Sequence, residues 1–174
     1  MFGRKQKKVS LLLIGFARSG KDFAAEFWRE NFGFTFQSSS LAAAEIFLYS
    51  SLKDRFNYKT IEECFEDRVH HRKLWHDLIC DYNKYDKARL AKQVVAKYGS
   101  YVGMRDSAEI NACKRVDMFD YIVWIDASQR VGVESLESCK VTEADADFTI
   151  DNNGTLEEFE TKLLKIGKLI FNVK

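Results

Sequence analysis

The chain has 174 residues, 46% of them hydrophobic and 14% aromatic, enough for a full core in one globular domain spanning 1–174. A formal net charge of +1 leaves no basic footprint for nucleic acid, and no apolar run approaches the ~20 residues of a membrane span. The four cysteines, Cys64, Cys80, Cys113 and Cys139, form no C-x-x-C pair, which argues against a zinc site and for free thiols in a reducing cytoplasm.

The basic start, Arg4, Lys5, Lys7 and Lys8, lacks the apolar stretch of a signal peptide and reads as a solvated tail. Residues 9–21 then read VSLLLIGFARSGK. Leu11 to Ile14 are too short an apolar run for a helix and stop at Gly15, the pattern of a strand buried on both faces. Gly15 to Lys21 fit G-x-x-x-x-G-K, a phosphate-binding loop between strand and helix. Glycines let the backbone curl until successive N–H groups face an anion, and the helix opened by Gly20 and Lys21 turns its positive end to the same point. Lys21 can reach the outer phosphates, and Arg18 and Ser19 lie within the loop. The next position, where Ser or Thr usually holds Mg²⁺, is Asp22, whose carboxylate can bind the ion or one of its waters.

Residues 22–31 carry Phe23, Phe27 and Trp28 at helical spacing, and Asn31 and Gly33 end that helix. Residues 34–37 read as a second strand, followed by Ser38, Ser39 and Ser40 and an Ala- and Leu-rich helix with a serine cap. Thr60 and Glu63 form a capping box for another helix, and helical spacing continues to Lys97 with breaks near His70 and at 83–86. Residues 38–97 thus form a helical insert suited to binding an acceptor. Residues 98–104 are a weak third strand and 105–116 a helix. Residues 121–125 are a clean buried strand ending at Asp126, and 128–140 are polar and irregular, the composition of a short lid. Residues 148–150 give a last strand, and Thr155 with Glu158 caps a final helix marked by Leu156, Phe159, Leu163, Ile166 and Ile170. Strands alternating with helices predict an α/β domain with a mainly parallel five-stranded sheet.

Phosphoryl transfer needs positioning and positive charge more than a covalent nucleophile. Arg105 follows the third strand and Arg130 the fourth, on the sheet edge that carries the phosphate loop, where open α/β sheets bind ligands. Arg68 and Arg72 lie in the helical insert. An acid ending a buried strand is expected to orient the metal, and Asp106 and Asp126 compete for that role beside Asp22. The spacing of His70, His71 and His76 does not suit a metal site. Trp75 is a candidate base contact by stacking.

Three stretches together resemble the phage-type deoxynucleoside monophosphate kinases of the P-loop kinase group. They are GFARSGKD, YVGMRDSAEI with Arg105 and Glu109, and ADFTIDNNGTLEEF. The middle stretch HHRKLWHDLICDYNK looks like a smaller phage subgroup. The resemblance implies a three-layer α/β/α P-loop kinase-like fold that uses ATP and Mg²⁺ and phosphorylates a (deoxy)nucleoside monophosphate. It implies catalytic roles for Lys21, Arg105 and Arg130, backbone contacts from Asn153 and Gly154 to adenine, and acceptor contacts from Ser38, Arg68, Arg72, Arg105 and Glu109. It also implies a cytoplasmic protein, in the host cytoplasm if phage-encoded, and leaves a homodimer open. Two other functions fit the residues: a P-loop kinase for another small acceptor, such as dephospho-coenzyme A or a modified nucleotide, and a nucleotide-binding module without turnover.

Overall fold

The computed structural model describes residues 8–135 and 139–172, so Arg4, Lys5, Lys7 and the middle of the expected lid lie outside the described residues. Strands β1 (Leu11–Ile14), β2 (Gln37–Ser38), β3 (Tyr101–Val102), β4 (Tyr121–Asp126) and β5 (Phe148–Asp151) form one sheet in the order β2-β3-β1-β4-β5. All four pairings are parallel, with Leu13 opposite both Val102 and Val123.

Period-2 alternation sends neighbouring side chains to opposite faces, and both faces are covered. Leu11, Leu13, Val123 and Ile125 pack with Ala24, Ala25 and Trp28 of α1 (Lys21–Phe32) and with Phe159, Leu163 and Ile170 of α9 (Leu156–Ile170). Leu12, Ile14, Ile122 and Trp124 face the remaining larger helices. These are α2 (Ser39–Ala43), α3 (Tyr49–Phe56), α4 (Ile61–Asp67), α5 (Arg72–Tyr82), α6 (Arg89–Tyr98) and α7 (Ser107–Lys114). A four-residue helix, α8 (Ser128–Val131), follows β4. The result is helix, sheet, helix, with every strand's C-terminal end opening on one edge.

Several expected boundaries move. The second strand pairs only at Gln37 and Ser38, because Phe34 and Phe36 stack on each other at 5.6 Å and Phe34 joins the Trp28 and Phe171 rings. The third strand shrinks to two residues, since Gly99 ends α6 in a left-handed conformation. The helix expected over 105–116 starts at Ser107, so Arg105 lies in extended chain before the Asp106 cap. The Ala-rich helix runs on from α2 into α3 through a π-helical turn, Ala44–Leu48. Thr60 caps α4, but Glu63 accepts the Lys59 amide hydrogen at 2.5 Å in place of that of Thr60. The Thr155–Glu158 box closes in both directions, whereas Leu156 is 54% exposed and off the buried face.

Candidate active site

Residues 15–20 join β1 to α1 in a conformation that two glycines make accessible. Gly15 sits at φ +149°, and a Cβ there would lie 2.5 Å from the Ile125 carbonyl oxygen. Gly20 sits at φ +97°, and a Cβ would meet Asn152 Nδ2 at 2.6 Å. Between them Arg18 takes a left-handed backbone at φ 61° and is exposed at the crest, while Ser19 is buried. Asn152, just after β5, clamps the loop: its Nδ2 donates to Ser19 O at 2.8 Å and its N–H to Asp126 O at 2.6 Å.

Lys21 folds back over this loop, donating from Nζ to Phe16 O at 2.6 Å and to Gly15 O at 2.9 Å. Burial, and then the charge of Arg105, lower its ammonium from the usual 10.5 to about 8. Arg105 follows β3 and lies close enough for its charge to act on Lys21. Between them lies Glu134. Its Oε1 accepts from Arg105 Nη1 at 2.9 Å, and its Oε2 accepts the Ala17 amide hydrogen of the loop at 2.6 Å. Those two bonds hold the Glu134 carboxyl below its ordinary range against the opposing cost of burial.

The three acids differ. Asp22 is exposed in the first turn of α1, close enough for its charge to oppose the lowering of the Lys21 and Arg68 pKa values, with no hydrogen bond among the described residues. Asp106 caps α7, accepting the Ala108 amide hydrogen at 2.9 Å. Asp126 accepts from Ser128 N–H and from Asn153 Nδ2, both at 3.0 Å. Asp22 has both oxygens, and Asp106 its Oδ2, without a hydrogen bond among the described residues, and a hard cation in a nucleotide site needs one or two carboxylates plus phosphate oxygens. No group of three or more His, Cys, Asp or Glu among the described residues could hold a metal by itself.

Beside the loop, Asn153 Oδ1 accepts the Gln129 amide hydrogen at 3.0 Å. Arg130, near the end of α8, donates from Nε to Asn152 O at 3.2 Å. Arg130 is thereby linked to the 152–154 turn. Gly154 approaches Glu158 so closely that a Cβ would overlap that carboxylate.

On the other side of the loop lies the helical insert. Ser38 is spent as the cap of α2, accepting from Leu41 N–H at 3.3 Å. Arg68 donates to Phe65 O at 2.7 Å and lies 3.7 Å from the Phe65 ring centroid. The charges of Arg72 and Asp22 both reach it, which places the insert's arginines next to the start of α1. Arg72 itself is exposed. Trp75 is 4% exposed in the core, so no ring face is open for a base as expected, although its Nε1 has no hydrogen-bond partner among the described residues. Glu109 is buried on α7 and accepts from Asn83 Nδ2 at 2.7 Å, and desolvation raises its pKa.

A parallel sheet of this order, with G-x-x-x-x-G-K at its central βα junction, resembles solved structures along almost its full length. TT1252 from Thermus thermophilus matches at 15% identity over 95% of this chain and 98% of that one, with a TM-score of 0.51. A gluconokinase from Sinorhizobium meliloti 1021 gives 13%, 96%, 98% and 0.48. Shikimate kinase from Bacteroides thetaiotaomicron gives 14%, 93%, 98% and 0.47. The shared feature is the fold alone, a parallel five-stranded α/β sheet. No protein-family model matches the chain, and no curated protein matches it.

Within this α/β fold, two residues at the loop left little or no trace in the sequence. Asn152 had a signal, since N-N-G offers two asparagines and the first, not the second, meets the loop. Glu134 had none: one glutamate in a polar segment carries no spacing that predicts contact with a loop more than a hundred residues earlier. Among the described residues no helix is long and apolar enough to cross a membrane.

Proposed function

We propose that this chain is an ATP- and Mg²⁺-dependent kinase that phosphorylates a (deoxy)nucleoside monophosphate to the diphosphate. The observation that supports it most is the gathering of a loop amide, Lys21 and Arg105 around one carboxylate at the sheet's C-terminal edge. A site that holds a carboxylate this way has the charge and donors for a phosphate.

In this reading the loop amides and Lys21 hold the β- and γ-phosphates. Arg105 stands between them and the acceptor, whose phosphate Arg72, with Arg68 behind it, clamps from the insert. Asn153 and Gly154 offer backbone to adenine. Asp22 holds Mg²⁺ or one of its waters, and the ion when bound offsets charge on the phosphate oxygens. An acceptor phosphate oxygen attacks the γ-phosphorus as the bond to the bridging β–γ oxygen breaks, and ADP leaves. That oxygen is already an anion, so no general base is required. Arg130 covers the transferring group.

The test is a panel of all common nucleoside monophosphates with ATP and Mg²⁺, assayed for ADP release beside dephospho-coenzyme A and small hydroxyl acceptors. ADP release with one or a few monophosphates is expected. Release only with another acceptor would move the chain to a different substrate, and ATP binding without release on any acceptor would make it a binding module.

A further inference from the structure

Glu134 has a place in the cleft that no step above uses. Its two oxygens take the two kinds of donor that the proposed site offers a phosphate, a loop amide and a strand-end guanidinium. A surface ion pair would need Arg105 alone. The second oxygen satisfies the N–H of Ala17, a loop donor that a bound phosphate would otherwise take.

We propose that Glu134 is a built-in competitor for the phosphate bound by this loop, and that nucleotide entry displaces it; the idea rests on the nucleotide-binding reading above. One cradle cannot hold both anions, because each needs the same donors and each repels the other. The Glu134 carboxylate is able to leave. Gly132 sits at φ +81° with nothing within 4 Å of where a Cβ would be, and Val133 is 72% exposed. Residues 132–133 are exposed, so the Glu134 side chain can swing away while the bonds from Gly132 N–H to Ser128 O and from Cys139 N–H to Ser135 O anchor the chain on either side. The carboxylate thereby pairs with the charge of Arg105, and an arriving triphosphate takes its place on that guanidinium.

Calorimetric titration of the full chain with ATP and with inorganic tripolyphosphate, which has neither base nor sugar, tests this. Glu134→Gln keeps the shape but not the charge, and it should bind both probes about tenfold tighter than the parent. Equal or weaker binding by the variant, with the parent binding ATP normally, would overturn the competitor role and leave the nucleotide site standing. Binding by neither protein would overturn both. A second measurement needs no variant. In the parent, tripolyphosphate should shift the Ala17 amide resonance and the Glu134 carboxyl carbon along one isotherm, and a Glu134 carbon that stays put while Ala17 moves would refute displacement.

Discussion

The loop at 15–21 and the helical insert are built by different means. The loop is a backbone site. Its shape follows from Gly15 and Gly20 and from a clamp at Asn152, and its donors are amides that every residue carries. The insert is a side-chain site: α2 to α6 are positioned by packing, and what they offer a ligand depends on Arg68 and Arg72 individually, with Glu109 of α7 bonded to their Asn83. A backbone site is preformed and tolerates little change. A side-chain site can be retuned one residue at a time, which is where a kinase would set its acceptor. Substitutions on the two sides should therefore fail differently.

The largest separation is expected from Lys21→Ala. Loss of the cation that meets the transferring charge should lower turnover by about a thousandfold. Folding places this ammonium in a cleft that depresses its pKa, so its charged form is penalised below pH 8 and that penalty is relieved as pH rises toward 10.5. Removing the side chain removes the penalty, so the melting temperature at pH 7 should not fall. The same shift predicts a pH dependence in the parent. Bound phosphate pulls the lysine pKa back up, so ATP binding should take up protons near pH 8 and weaken steadily above it. Calorimetry in buffers of different ionisation enthalpy measures that uptake, and its absence would mean that Lys21 does not meet the phosphates.

Arg72→Ala breaks the other side. The residue is exposed and carries no core contact, so stability should hold while the KM for the monophosphate rises by about ten- to a hundredfold and that for ATP stays within twofold. Steady-state kinetics with each substrate varied in turn decides it. A rise in the ATP KM instead would place Arg72 on the wrong side of the cleft.

What was legible in the sequence follows the same division. Leu11 to Ile14, the glycine spacing and Lys21 could be read because a buried strand and a phosphate loop each leave a local, periodic trace. The sheet's composition and the final helix with its Thr155–Glu158 box were equally local. The insert's helices were legible as helices, but their facing was not. Trp75 shares its spacing with core and cleft positions alike, and only the fold shows that it turns inward. Asp106 and Asp126 look alike as strand-end acids until one is seen capping α7 and the other bound to Ser128 and Asn153. Glu134 is a contact between distant segments, and no local pattern encodes it.

Asn152→Ala sharpens the loop side. The side chain is buried, and its loss leaves the Ser19 carbonyl without its donor, costing about 1–3 kcal/mol. Because a Cβ on Gly20 would strike Asn152 Nδ2, the cost of Gly20→Ala should be smaller in the Asn152→Ala background. Chemical denaturation of the two single variants and the double variant measures the coupling. Strict additivity would show that the strain at Gly20 comes from its backbone angle alone.

The smallest effect expected is at Glu109, where stability and acceptor binding pull apart. Burial raises its pKa, so the folded state holds the proton longer than the unfolded chain does. Stability therefore falls as pH rises from the ordinary glutamate range through the raised value. Glu109→Gln removes the charge but keeps an oxygen for Asn83 Nδ2. The variant should melt about 2–4 °C higher than the parent at pH 7, a gain of ~1 kcal/mol for a chain of this size, and no higher near pH 4. A carboxylate kept at such a cost on the insert's side of the cleft is reason to expect that it touches the acceptor, so the monophosphate KM should rise a few-fold in the same variant. A melting temperature that drops at pH 7 would show instead that the charge is needed for folding, and would remove Glu109 from the acceptor side of the site.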